Sequence, residues 1–177
     1  MKEPKIFAHG TYIGTTGYNN HTRDFYRELQ KYTQVKFRNF TVGKSWKGPS
    51  DEPHNGEEYL NDIDKKLLVQ QTLWGDDNNL IDKSIYSKYP NDFEHNINLV
   101  LNESNHHYYY QKYSGPKIAY NVWESTRQTE QFFNKLLEFD QIWVPSQWQA
   151  NCTIEQGADP DKVKVVPEGA DTETFYP

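Results

Sequence analysis

The sequence is poor in the residues that staple or anchor a chain. Its 177 residues include one cysteine, Cys152, so no intramolecular disulfide can form. That usage fits a reducing compartment. Long apolar runs are missing too: nothing approaches the about 20 residues that a membrane-spanning helix requires. The opening MKEPKIFAHG lacks the extended apolar segment of a secretory leader, so a cytoplasmic protein is expected. Basic charge is in deficit, with 19 Lys and Arg against 25 Asp and Glu and a net charge of -6. A chain of that balance is not expected to bind nucleic acid. Docking on a membrane is left open but not indicated, since net acidity opposes electrostatic attachment to anionic lipid.

Aromatic rings are plentiful: they make up 15% of the chain, with 13 Tyr and 5 Trp. Mean hydropathy is low, at -0.98. Much of the core must therefore be aromatic, and other rings are free to line a surface on which sugars stack. KIFAHG (Lys5 to Gly10) reads as a first strand, followed by a Gly/Thr loop. Tyr18, Thr22, Phe25, Tyr26 and Leu29 then share one face of a helix. VKFRNF, INLVLN, PKIAYNVWE, QIWVPS and VKVV read as further strands. RQTEQFFNKLLEFD is an amphipathic helix, and SQWQANCTIEQG is a helix with Ser146 as its cap and Gly157 as its end. ESNHHYYYQKYSG is expected to be a short helix closed by Gly115, and YLNDIDKKLLVQQ another. Residues 41–96 otherwise look like an insertion-like excursion, rich in Gly, Pro and charge.

Strands alternating with helices predict an α/β, Rossmann-like, three-layer domain with a mostly parallel sheet. Ligands of such sheets bind at the carboxyl ends of the strands. That edge would gather Gly10 to Asn19, Asn102 to His107, Trp123 to Arg127 and Pro145 to Gln147, with Pro167 to Asp171 joining if the last strand is parallel.

The loop GTYIGTTGYNN suits close approach of a diphosphate or a sugar hydroxyl. Glycine admits the ligand to the backbone, Thr15 and Thr16 add hydroxyls, and free N–H groups open the helix at Gly17 and Tyr18. The same residues also suit a plain strand-to-helix turn. The spacing Gly10-x-x-x-Gly14-x-x-Gly17 is not the dinucleotide fingerprint, and the second strand, VKFRNFT, ends without the acid that would hold a ribose. A nicotinamide-dependent oxidoreductase is therefore disfavoured. Glu124 follows an apolar strand at the expected edge, as a base, an acceptor for sugar hydroxyls or a salt-bridged carboxylate. Ser125 to Arg127 could instead cap the next helix. Glu103 and His107 stand at i, i+4 with His106 adjacent, but neighbouring histidines point apart and no third ligand is evident, so no metal is expected. One of the two histidines is better read as a hydrogen-bond donor at the edge, beside a Tyr run that packs or stacks on a ligand. Cys152 reads as a small buried hydrophobe.

The stretch QIWVPSQWQANCTIEQGADPDKVKVVPEGADTETFYP resembles the end of the N-terminal domain in GT-B glycosyltransferases of the family 4 type. The turn V-P-x-G-x-D-x-x-x-F-x-P is carried by Val166, Pro167, Gly169, Asp171, Phe175 and Pro177. KIAYNVWEST and GTTGYNNHTRDFYRELQK are similar to the family's strand and its glycine loop with the first helix. The resemblance implies the N-terminal half of a GT-B fold, stopped at the linker: one acceptor-side domain over residues 1–177, with the C-terminal, nucleotide-sugar-binding domain absent. It implies transfer of a sugar to a glycan or other hydroxyl acceptor, with the nucleotide sugar as co-substrate and no cofactor bound by this domain. Gly14, Thr15, Thr16, Gly17 and Tyr18 would meet the donor diphosphate. His106, His107, Ser125, Ser146, Glu168 and Gly169 would line the acceptor side or the edge. Glu124 is the candidate for catalysis; many members carry His there, and that departure leaves three roles open for Glu124: base, hydroxyl acceptor or structural carboxylate. A stand-alone carbohydrate-binding module without catalysis is the alternative from another class.

Overall fold

The structure, a computed structural model, describes residues 5–14, 16–41, 59–74, 80–84, 97–101 and 115–169. The elements run β1 (Lys5–Gly10), α1 (Gly17–Leu29), β2 (Gln34–Thr41), α2 (Asp62–Leu67), β3 (Leu68–Trp74), β4 (Leu80–Ser84), β5 (Ile97–Leu101), β6 (Lys117–Tyr120), α3 (Glu130–Leu137), β7 (Gln141–Val144), α4 (Gln147–Glu155) and β8 (Val163–Val165). They build one eight-stranded sheet in the order β4-β3-β2-β1-β5-β6-β7-β8. Every pairing is parallel except β3 with β4, which closes one edge antiparallel.

Alternation along the strands explains the layers. Leu99 and Leu101 of β5, with Ile6 and Ala8 of β1, pack in one core with Tyr26 of α1 and Leu67 of α2. Val100 of β5 faces the other way, into a core with Ala119, Ile142 and Val144 of the sheet, Phe133 and Leu136 of α3 and Ala150 of α4. A parallel sheet buried on both faces needs apolar residues at successive positions, which is why Leu99, Val100 and Leu101 run together in β5. Much of the first core is aromatic, as the composition requires. Tyr12, Tyr26 and Phe37 meet at ring distances of 4.8 Å, and Phe25 stacks on Tyr120 at 5.7 Å.

The expected strands and the helices α1, α3 and α4 are in place. Ser146 caps α4, its hydroxyl accepting from the Gln149 N–H, and Gly157 follows the helix at φ +121°. The last strand is parallel to β7, so the segment after β8 reaches the carboxyl edge. The stretch 59–71 departs from expectation. Asn61 caps a helix of one and a half turns in a box with Asp64, but Leu68 turns extended and begins β3. Residues 68–74 and 80–84 are therefore sheet, not an excursion from it. Their hydrophobic pattern fits either state, and the open edge of β2 supplies the backbone partners that decide for strand. The expected helix over 103–115, with His106 and His107, lies outside the described residues except for Gly115. Cys152 is only partly buried.

Leu136 is fully buried between α3 and the sheet. Leu136→Ala should destabilise the chain by about 2–5 kcal/mol, read from the urea midpoint at unchanged m-value.

Candidate functional site

Parallel pairing puts the ends of β1, β5, β6, β7 and β8 along one edge, and the loop after β1 is its most constrained part. Gly10 sits at φ +153°, and a Cβ there would lie 2.2 Å from the Leu101 carbonyl oxygen. No other residue lets β1 run this close to β5. Gly14, at φ +146°, leaves room for the Asn19 side chain, whose Oδ1 would sit 2.5 Å from an added Cβ.

The backbone between these glycines is held from inside. Asn39 Oδ1, fully buried on β2, accepts from the N–H groups of Tyr12 at 2.8 Å and Ile13 at 3.0 Å. Arg23 of α1 donates to the carbonyls of Tyr12 and Gly14, both at 2.8 Å. Asn19 Nδ2 donates to the Ile13 carbonyl at 3.3 Å. Below the loop, Asp64 of α2 is fully buried. It accepts from the Tyr12 hydroxyl, from Arg27 Nε at 2.9 Å and Nη2 at 2.6 Å, and from the Asn61 N–H at 2.7 Å. Burial pushes the Asp64 carboxyl upward, but the hydrogen bonds from Arg27, Tyr12 and Asn61 outweigh it and hold the group below its ordinary range. Burial, with Asp64 beside it, drives the Tyr12 hydroxyl upward, so it stays protonated and donates.

Thr16 caps α1. Its hydroxyl accepts from the Asn19 N–H, while its own backbone N–H donates to Asn19 Oδ1 at 2.9 Å, closing a capping box. The N–H groups of Gly17 and Tyr18 belong to the first turn, which has no intrahelical acceptors. Among the described residues nothing lies within 4 Å of a Cβ placed at Gly17. The Tyr18 hydroxyl crosses the edge to donate to the Val122 carbonyl at 2.8 Å, tying α1 to the end of β6. Thr15 lies outside the described residues.

The loop after β6 is braced by Gln156, which pairs with the backbone of Gln128 through two 2.8 Å bonds. Glu124 is exposed on this loop. Ser125 does not cap the next helix: its hydroxyl accepts from Trp123 Nε1 at 3.0 Å and donates to the Arg127 carbonyl at 2.8 Å, while α3 starts later, behind Thr129. The turn chemistry of Ser-x-Arg competes better for this hydroxyl than a helix four residues away. Ser146 is occupied as the α4 cap, and Trp148 in that first turn is 52% exposed. Glu168 stands 3.9 Å from His21 Nδ1. Among the described residues nothing lies within 4 Å of a Cβ added at Gly169.

The structure thus gathers Gly14, Gly17, Tyr18, Glu168 and Gly169 on the carboxyl edge, with Ser125 and Ser146 in local turns. Composition and motif reading passed over Tyr12, His21, Arg23, Asn39, Asp64 and Asn121. No local signal marked Arg23 and Asn39, which stand among other polar residues in α1 and β2. Asn121 is fully buried at the end of β6, and its side-chain amide has no hydrogen-bond partner among the described residues. Gln149 of α4 donates to its carbonyl at 2.8 Å. Among the described residues no cluster of three or more His, Cys, Asp or Glu could hold a metal, and no helix is long and apolar enough to cross a membrane. A shallow depression of about 590 Å³ lined by Gly115, Pro116, Ile118, Asp140 and Gln141 opens on the opposite edge of the sheet. Its one carboxylate, Asp140, is engaged by the Lys117 N–H at 2.8 Å.

Removing the buried carboxylate takes the acceptor from the Tyr12 hydroxyl and from Arg27 Nε, although Arg27 keeps the Tyr59 carbonyl and Asp24. Asp64→Ala should cost roughly 3–5 kcal/mol in chemical denaturation. Because the folded carboxyl titrates below its unfolded value near 3.9, its contribution is fully present above that pH. It is lost as pH falls through the lower, folded value. Asp64→Ala should lack this part of the acid-induced loss.

No family model and no curated protein matches the sequence. Solved structures do match in fold. HepE (Alr3699) of Anabaena in complex with UDP and glucose aligns with a TM-score of 0.57 at 11% identity, over 96% of this chain and 46% of that one. The same protein with UDP alone gives 0.57 at 12% identity, and with UDP-glucose 0.56 at 11%. The chain therefore spans less than half the length of the structures it resembles, and the likeness establishes an α/β, Rossmann-like fold.

Proposed function

We propose that this chain is the acceptor-binding, N-terminal half of a GT-B glycosyltransferase of the family 4 type, which moves a sugar from a nucleotide sugar to a glycan or other hydroxyl acceptor. Residues 1–177 form one domain in this reading, and a C-terminal domain, on the same gene or a split subunit, binds the nucleotide sugar. The protein works in the cytoplasm, without a metal or cofactor of its own.

The observation that carries the reading is the built glycine loop on the carboxyl edge. Its carbonyls at Tyr12 and Gly14 are drawn inward by Arg23, and its N–H groups at Tyr12 and Ile13 by Asn39. The loop is thus rigid before any ligand arrives, and α1 opens beside it with first-turn N–H groups suited to a diphosphate. In the proposed enzyme Gly14 to Tyr18 approach the leaving diphosphate when the second domain closes. Glu124, exposed on the loop after β6, is the candidate to meet the acceptor hydroxyl. The fold likeness to less than half of a protein solved with UDP and with UDP-glucose supports the same reading.

A stand-alone carbohydrate-binding module is the second reading, favoured by exposed Trp148 at the edge. The neighbouring coding sequence separates the two: a continuing frame or an adjacent second Rossmann domain supports the enzyme.

The 177-residue chain alone should show no significant transfer from any sugar nucleotide, and robust turnover by pure protein would refute the half-enzyme reading. In an NMR titration, glycans should shift edge resonances from the loops after β1 and β6, with weak or no response to UDP, UDP-glucose or NAD. Tight nucleotide binding would place the donor site in this chain instead.

A further inference from the structure

Among the described residues three aromatic side chains stand more than half exposed: Tyr32, Tyr59 and Trp148. Tyr32 follows α1 just ahead of β2, at the amino edge of the sheet and away from the candidate site. Tyr59 is fixed from behind. The buried Arg23 guanidinium lies over its ring, with Cζ 5.6 Å from the ring centre. Its backbone carbonyl accepts from Arg27 Nη2 at 3.0 Å, and two residues on Asn61 caps α2. One face of the ring is thus covered by a buried cation, and the exposed area lies on the other face and the rim. The same arginine reaches the glycine loop, where its Nη1 donates to the Gly14 carbonyl at 2.8 Å. Ring and loop are joined through one guanidinium.

Two polar side chains flank the arginines that support the ring. Asn20 and Asp24 stand four residues apart on one face of α1, and both are exposed. Asn20 Oδ1 accepts from Arg23 Nη2, which leaves Nδ2 as a donor. Asp24 Oδ1 stands 3.6 Å from Arg27 Nη1, and its side chain is 67% exposed, so the carboxylate keeps lone pairs for an incoming donor. The charges of the described residues balance here: Arg23 and Arg27 stand against Asp24 and the buried Asp64. A flat apolar face, an amide donor and a carboxylate acceptor in a neutral setting suit a ligand that is itself neutral, with one apolar face and a rim of hydroxyls. That is the chemistry of a pyranose.

We propose that Tyr59, Asn20 and Asp24 form a subsite for a neutral pyranose, the Tyr59 ring carrying its C–H face and the two polar side chains its hydroxyls. The inference rests on the reading of this chain as the acceptor-binding half and deepens it: the acceptor is a glycan, with one sugar unit set beside the Gly14 loop. Asp24 opposes an anionic group at this place, so a nucleotide phosphate is not the occupant. Because the arginines fix the backbone and the ring before any ligand arrives, little order remains to be imposed on binding.

The test is an NMR titration of the full chain, labelled on its tyrosine rings, with glucose, galactose, mannose, N-acetylglucosamine, maltose and cellobiose. At least one saccharide should shift the Tyr59 ring resonances and receive saturation transfer at the C–H protons of one pyranose face. Tyr59→Phe keeps the ring and should bind within about twofold of the parent. Tyr59→Leu still covers Arg23 with an apolar side chain but has no ring face, and should weaken binding about tenfold with the amide spectrum of the folded chain retained. Asp24→Ala, which loses only an exposed ion pair, should weaken binding severalfold. Tyr32→Leu, at the opposite edge, should leave it unchanged. Saccharide binding that persists undiminished in Tyr59→Leu and Asp24→Ala would overturn the subsite and leave the acceptor-half reading standing. No response of the Tyr59 ring to any of the saccharides would overturn the subsite as well. The acceptor-half reading fails separately, on tight binding of a nucleotide.

Discussion

The edge that carries the candidate site depends on one buried carboxylate. Asp64 brings together the Tyr12 hydroxyl from the loop after β1, the Arg27 guanidinium from α1 and the Asn61 N–H that starts α2. Three elements far apart in sequence are fixed on one another through it. A lone buried carboxylate would be prohibitively costly; here each oxygen has charged or polar donors, so desolvation is offset. The second guanidinium, Arg23, spends its donors on the carbonyls of Tyr12 and Gly14 and on Asn20. The loop is therefore held by side chains that themselves stand on packed helices, the arrangement that gives a site its precision.

From that anchor the rest of the edge follows by short links. Tyr18 joins α1 to the end of β6, Tyr120 joins β6 to the segment after β8, and Gln149 joins α4 to Asn121. The tyrosines do two tasks at once, burying rings in the core and sending hydroxyls to backbone carbonyls at its rim. A chain low in aliphatic residues uses them to build a core and to fasten its loops. This is the physical meaning of the aromatic composition. Trp148, in the first turn of α4, stands 52% exposed.

Much of the architecture was legible because its causes are local. β-branched and apolar runs marked β1, β5, β7 and β8, and the 3.6-residue stripe of Tyr18, Thr22, Phe25, Tyr26 and Leu29 marked α1. Gly157 and Ser146 punctuated α4 as expected. The failure at residues 68–74 has an equally physical cause. A segment that reads as helix or strand is decided by whichever partner its backbone finds, and β2 offered a free ladder. Of the site, the glycine loop was legible from Gly14 and Gly17, whereas the residues that hold it were not. Arg23, Arg27 and Asp64 look like ordinary surface charges until α1 and α2 are packed together.

The sequence by itself determined the alternation of strands and helices, the parallel sheet and the need for glycine after β1, because periodicity and backbone sterics act over a few residues. Tertiary structure alone decided that the sheet would extend to β3 and β4, that Ser125 would serve a turn instead of a helix, and that Asp64 would lie at the bottom of the site. It also placed His21 against Glu168, a pair 147 positions apart by their numbers. Such pairings depend on which faces meet across the sheet, and no local pattern encodes that distance.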